Sequence, residues 1–380
     1  MRPLDGIKII EMAGLAPAPY CGMILADFGA DVVIVDRLSK AEPEVPNRMT
    51  RNPFERGKRS MRVNLKSEAG IGIVKRLIGT SDVLLEGYRP GVMEKLGLGP
   101  DKALALNPKL IYARLTGWGQ EGPYASMAGH DINYIGLAGA LSLFRRKGER
   151  PLPPGNLLGD FAGGGMLCAM GILLALMERS RSGKGQVVDS AMVDGVAHLS
   201  TFFHGLLGND LITLDIGTNT LDSGAPYYQA YETADGKFMA VGAIESRFYK
   251  ELLKGLNLDP ASLPDQNDRE KWPALQARFT EIFKNKTRQE WEAVFEGKDA
   301  CVSPVLTLDE VDQHQHNRDR NLFIELDGYN QPGPAPRLSR TPGRTGRPAN
   351  PRGSETKDVL KELGCSGKEI ETLYRDEIVE

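Results

Sequence analysis

The sequence predicts an α/β protein with two domains: a large domain over residues 1–200 built on a doubly wound parallel sheet, and a smaller α+β domain over residues 220–315. Three observations lead there. A strand, a helix and a second strand follow one another within the first 37 residues, which makes a βαβ unit. The same order repeats through residue 130. After residue 220 the pattern changes to a hairpin followed by amphipathic helices.

Gly6–Met12 (GIKIIEM) is a short apolar run bounded by turn residues, hence a strand. Ala13–Pro19 is a loop of small residues, Tyr20–Phe28 has helical spacing stopped by Gly29, and Ala30–Asp36 (ADVVIVD) is a β-branched strand. The first turn, Ala-Gly-Leu-Ala-Pro-Ala, lacks the Gly-x-Gly-x-x-Gly that lets a pyrophosphate approach, so an NAD-binding reading is weak. Arg51–Arg62 (RNPFERGKRSMR) reads as a basic loop leading into a strand at Val63–Lys66. A helix at Ile71–Leu77, a strand at Asp82–Glu86, a turn at Gly87–Gly91, a helix at Val92–Leu96 and a strand at Lys109–Leu115 follow. Arg37, Lys66 and Arg89 stand at predicted strand exits, where ligands of such sheets gather. Each suits a phosphate, and each also fits a solvated surface cation.

Further on, Met166–Met177 reads as a buried helix, Gly185–Asp189 as a strand and Ser190–Phe203 as a helix whose His198, with His204 just beyond, packs. Tyr227–Thr233 and Lys237–Val241 flank Asp235-Gly236, a hairpin compatible with a type I′ turn. Helices follow at 248–256, 270–284 and 288–296. Residues 331–352, rich in Pro, Arg and Gly, read as an extended linker before two short terminal helices at 357–363 and 369–374.

Composition narrows the function. The chain has 380 residues, 41% hydrophobic and 26% charged, with a net charge of −3. That balance gives no electrostatic case for nucleic acid or an anionic membrane. Four scattered cysteines without a Cys-x-x-Cys pair point to reduced thiols in an intracellular protein and away from zinc; His314 and His316 are too isolated for a metal site. No charged-then-apolar leader opens the chain, and the longest apolar stretch is short and rich in Ala and Gly, so neither export nor a membrane span is expected. The final residues are not a peroxisomal Ser-Lys-Leu signal, which leaves a cytoplasmic protein, or a peroxisomal or mitochondrial one in a eukaryote.

The chemistry-bearing stretch is Gly129–Asp160. His130 and Asp131 follow a glycine, and Asp160 precedes three glycines at the start of the apolar helix. A histidine and a carboxylate beside small residues make a candidate acid/base pair. On spacing alone a structural histidine and a helix N-cap are the better fit.

Five segments in one order carry a resemblance: GHDINY at 129–134, NLLGDFAGGG at 156–165, SGKGQVVDSAMVDG at 182–195, LDSGAPYY at 221–228 and VGAIE at 241–245. Together they resemble the α-methylacyl-CoA racemases of the class III CoA-transferase family, from about residue 5 to about residue 340. The resemblance implies a Rossmann-like large domain to which residues 325–380 return, a smaller domain between, and a homodimer of chains interlocked like linked rings. It implies inversion of C2 in 2-methylacyl-CoA esters, with His130 and Asp160 as the two bases and Glu245 orienting His130. It implies CoA contacts at Arg37, Val63, Asn64, Leu65, Lys66, Gly87, Tyr88, Arg89, Lys95, Gly129, Asp131, Ile132, Asn133 and Tyr134. Lys95 departs from the arginine of some relatives. No cofactor or metal is implied, since CoA is part of the substrate. The rival within the family is a CoA-transferase in which Asp160 attacks the thioester. A non-catalytic acyl-CoA binder would have no need of matched bases.

Overall fold

The computed structural model describes residues 1–38 and 52–380, so Arg51 at the head of the basic run lies outside the described residues. The chain divides into two compact units: Met1–Ala138, Pro154–Leu199 and Asn321–Glu380 form the first, Gly139–Pro153 and Ser200–Arg320 the second.

Among the described residues of the first unit, six strands form one parallel sheet: β1 (Lys8–Met12), β2 (Asp31–Arg37), β3 (Arg59–Val63), β4 (Val83–Glu86), β5 (Ile111–Thr116) and β6 (Gln186–Ala191). Their order is β3-β2-β1-β4-β5-β6, which reverses direction between β1 and β4. In register, Val33, Ile10, Leu84 and Tyr112 form one row across β2, β1, β4 and β5. That row points to one face because side chains alternate along a strand. It meets Ile73, Val74, Leu77 and Ile78 of helix α2 (Glu68–Thr80) and Met93 of α3 (Val92–Lys95). Ala103 of α4 (Pro100–Leu106) joins the same core. On the other face Ile9, Leu85 and Ala113 meet Cys21 and Leu25 of α1 (Pro17–Asp27), and Tyr134 of α5 (Asp131–Leu137). Cys168, Ala169, Ile172 and Ala175 of α6 (Leu167–Ser182) and Met192 of α7 (Met192–Leu199) complete that side. Helices on both faces explain why β1, β2, β4 and β5 are mostly apolar.

The third strand lies earlier than the sequence predicts, at 59–63 rather than 63–66. β3 is the sheet edge, so its charged side chains reach outward to partners: Arg59 pairs with Asp31 at 2.6 Å and with Glu362 at 2.7 Å. Residues 64–67 form the turn that caps α2, with Ser67 Oγ accepting the Gly70 N–H.

α6 continues from a wide helical segment, Leu157–Met166, in which hydrogen bonds span five residues. The combined helix, Leu157–Ser182, is the one among the described residues long and apolar enough to cross a bilayer by length and composition. One face packs on the sheet; the opposite face leaves Met166, Met170, Leu173, Leu174 and Met177 exposed.

In the second unit α8 (Thr201–Gly208) precedes an antiparallel sheet of β7 (Tyr228–Glu232), β8 (Phe238–Gly242) and β9 (Val302–Val305). Its core sets Tyr227, Tyr231 and Met239 against α9 (Ser246–Gly255), α10 (Trp272–Phe283) and α11 (Arg288–Phe295). The β7–β8 turn is not type I′: only Gly236 has positive φ, at 71°, and its N–H closes on Thr233 O at 3.0 Å. α12 (Gln315–Asp319) ends the unit. His198 and His204 are exposed on α7 and α8 rather than packed.

Back in the first unit, β10 (Phe323–Leu326) and β11 (Tyr329–Pro332) form a hairpin absent from the sequence reading. The predicted linker is a tied strap: Arg344 N–H donates to Asp27 O, and Gly57 N–H to Arg347 O, each at 2.9 Å. α13 (Thr356–Glu362) and α14 (Gly367–Arg375) then pack Val359, Leu360 and Ile370 into the core beneath β3 and α2.

Candidate active site

His130 stands at the N-terminal boundary of α5 with extended backbone, and its N–H donates to Asn133 Oδ1 at 3.0 Å. The glycine before it is a packing requirement. A Cβ on Gly129 would lie 2.7 Å from the Tyr134 ring and 3.0 Å from Trp118. Those two rings meet edge to face at 4.8 Å, and the Tyr134 hydroxyl donates to Gly129 O. The His130 side chain is exposed.

Asp160 is not the helix cap that its position suggests. It is the fourth residue of the wide segment, and its Oδ2 accepts from Asn156 Nδ2 at 2.9 Å. The glycines after it let neighbouring backbones close in. A Cβ on Gly163 would meet Val196 N at 2.9 Å, and one on Gly165 would meet Pro17 O at 2.8 Å. The wide turns thus sit against α1 and α7 at van der Waals range, which makes the Asp160 backbone a rigid mount.

Asp131 links the two. Its carboxylate is buried, 5% exposed, and Oδ2 accepts the backbone N–H groups of Gly159 at 2.6 Å and Asp160 at 2.8 Å. Gly159 is small because a Cβ there would meet that oxygen at 2.7 Å. Burial pushes the Asp160 carboxyl above its ordinary range; the Asn156 hydrogen bond opposes this, the Asp131 charge adds to it, and His130 opposes it. His130 and Asp160 therefore lie within electrostatic reach of each other. The arrangement sets a carboxyl pushed above its ordinary range within electrostatic reach of a histidine, which suits acid/base work.

The predicted CoA contacts fall at the carboxyl ends of β2, β3 and β4. Arg37, Lys66, Gly87, Arg89 and Lys95 are exposed there and Tyr88 half-buried. Val63 is wholly buried and Leu65 packs on the core, while Asn64 gives its N–H to Ile378 O at 2.8 Å. Of the α5 group, Asp131 and Tyr134 are buried and Ile132 and Asn133 exposed. The Arg89 charge reaches the Tyr134 hydroxyl, which burial pushes up.

Behind the Gly87–Arg89 turn lies a support that the sequence did not disclose. Buried Glu86 accepts the Tyr88 N–H at 2.7 Å through Oε2 and Arg114 Nε at 3.0 Å through Oε1, and Arg114 also pairs with Glu94 at 2.8 Å. Asp131 is a predicted CoA contact, but the hold of its carboxylate on Asp160 is a structural discovery, as is Asn156, for which the four-residue spacing to Asp160 offered a signal. Glu245 belongs to the second unit, exposed at the start of α9, where its charge reaches Cys301.

The profile of CoA-transferase family III matches residues 4–356. The chain is a member of that family. It is 52% identical to the alpha-methylacyl-CoA racemase of Mus musculus over 99% of this chain and 97% of the relative. It is 49% identical to the alpha-methylacyl-CoA racemase of Homo sapiens with the same shares covered. Among solved structures, a CAIB/BAIF family protein from Brucella suis superimposes with a TM-score of 0.81 at 26% identity, covering 95% of this chain and 99% of that one.

Proposed function

We propose that this enzyme is a 2-methylacyl-CoA racemase that inverts C2 through an enolate. His130 and an Asp160 whose carboxyl burial pushes up, mounted on one rigid frame, carry the reading. Each base serves one face of C2: one removes the proton while the other, protonated, returns one from the opposite side. The backbone N–H groups of Asp131 and Ile132, which precede the first bonded turn of α5, suit the developing enolate oxygen. Glu245 orients His130. Arg37, Lys66, Arg89 and Lys95 hold the phosphates of CoA, which is substrate rather than cofactor. The exposed apolar stripe of α6 supports a partner chain in an interlocked homodimer. The rival, a CoA-transferase with Asp160 as nucleophile, would use the carboxylate alone.

Turnover in heavy water separates the two. A racemase places deuterium at C2 of a 2-methylacyl-CoA as chirality scrambles, whereas a transferase moves CoA to an added acid and leaves C2 untouched. His130→Ala should slow inversion by roughly 10²–10⁴-fold. Normal racemisation by that variant, with only Asp160→Ala inactive, would overturn the two-base mechanism; CoA transfer to the added acid with no exchange at C2 would establish the transferase.

A further inference from the structure

The carboxyl end of β2 holds a charge arrangement that the reading above leaves unused. Asp36 is 6% exposed, and both its oxygens are engaged. Oδ1 accepts the Arg37 N–H at 2.9 Å, and Oδ2 takes Arg352 Nη1 at 2.6 Å. Arg352 comes from the strap, 316 residues later. It is delivered by contacts to β3: Gly353 N–H donates to Ser60 Oγ at 3.0 Å, and Glu355 Oε2 accepts the Ser60 N–H at 2.8 Å. Gly353 has φ of 81°, and a Cβ on it would lie 2.9 Å from Glu380 O, so the chain turns there only as glycine.

In sheets of this order, an acid at the end of the second strand accepts ribose hydroxyls, and a ribose that bears a phosphate calls for a nearby arginine instead. Here Asp36 is buried with each oxygen already engaged, which leaves little of it for a hydroxyl, and a bare carboxylate would repel a phosphate. Arg352 cancels that charge and leaves Arg37, exposed beside it, as a net cation. The Arg352 side chain is itself 40% exposed, so the edge turned away from Asp36 is open. Tyr88, across the switch point on the β4 turn, feels both Asp36 and Arg37, which places this cluster among the predicted CoA contacts.

We propose that Arg352 is a CoA-binding residue: with Arg37 it receives the phosphate monoester on the ribose of CoA and makes the chain discriminate CoA from dephospho-CoA. The inference rests on the CoA-thioester reading but not on the racemisation chemistry. Calorimetric titration with free CoA and with dephospho-CoA tests it apart from activity. Wild type should bind CoA more tightly. Arg352→Ala should weaken CoA by about ten- to hundredfold and leave dephospho-CoA within about twofold, the range expected when one charge-assisted contact is lost. Should that variant not fold, Arg352→Gln, which can still donate to Asp36 without charge, carries the same readout. Equal weakening of both ligands would make Arg352 an anchor of the strap and overturn the proposal, as would unchanged affinity for CoA or a wild type that binds neither. A wild type that binds CoA with the stated preference yet racemises nothing would overturn the proposed reaction and leave this site standing.

Discussion

One carboxylate oxygen of Asp131 holds the backbone of Asp160: it accepts the Asp160 N–H at 2.8 Å and the Gly159 N–H at 2.6 Å. The residue next to one proposed base thus positions the other, and its charge adds to the upward push on the Asp160 carboxyl. Asp131→Asn retains an acceptor but removes that charge. A like charge raises a carboxyl pKa, so its loss should shift the Asp160 limb of the pH–rate profile to lower pH. An unmoved or raised limb would contradict the assignment. Asp131→Ala leaves two N–H groups unpaired and should cost about 1–3 kcal/mol of stability, read by denaturant unfolding.

Glu245→Gln should leave far-ultraviolet circular dichroism unchanged and lower kcat by between about tenfold and 10⁴-fold, with a displaced pH optimum, if Glu245 orients His130. Rates within twofold of wild type across pH would remove Glu245 from the mechanism.

Gly195→Ala tests the mount of the wide helical segment. The added Cβ would fall 2.0 Å from Gly163 O, backbone against backbone, where neither side can yield cheaply. Overpacking of this kind costs about 1–3 kcal/mol. The melting temperature should drop, and kcat should fall with it because Gly163 and Asp160 share one helix. A variant as stable and active as wild type would show that the close approach is dispensable.

Lys58 and Glu11 form a buried pair at 2.6 Å, with Lys58 Nζ also donating to Pro19 O at 2.8 Å. Burial pushes the Glu11 carboxyl up, and Lys58 opposes this. Lys58→Met removes the opposition and should destabilise the fold by about 3–5 kcal/mol at neutral pH. The sign of the pH dependence follows. In the variant the native state binds the Glu11 proton more tightly than the unfolded chain does, so stability should fall as pH rises above the ordinary carboxyl range. Unfolding at pH 5 and pH 8 measures it; a deficit independent of pH would show that Glu11 ionises freely.

The exposed stripe of Met166, Met170, Leu173, Leu174 and Met177 predicts self-association. Light scattering should return twice the chain mass of 41.6 kDa even at nanomolar dilution, because interlocked chains separate only by partial unfolding. A folded monomer would contradict the interlocked dimer.

Much of the sheet was legible because its strands are buried on both faces and read as short apolar runs between turns. β1, β2, β4 and β5 lie within a residue or two of their predicted bounds. β3 was not legible: Arg59 and Arg62 disguise it as a basic loop, since an edge strand can turn charges outward to Asp31 and Glu362. The β10–β11 hairpin escapes notice because each strand has only four residues, FIEL and YNQP, and the second carries no apolar alternation.

By itself the sequence determined the α/β class, the likeness to the family and the identity of His130, Asp160 and Glu245 as candidates, because strand periodicity and motif order are local properties of a chain. Only the tertiary structure decided how the candidates are held. The grip of Asp131 on Gly159 and Asp160, the brace of Glu86 and Arg114 behind Tyr88, and the arrival of Arg352 at Asp36 all join residues far apart in the chain. Each of those carboxylates reads in sequence as one more charged residue. Burial and partner geometry, which exist only once the chain has closed on itself, turn it into a fixed acceptor.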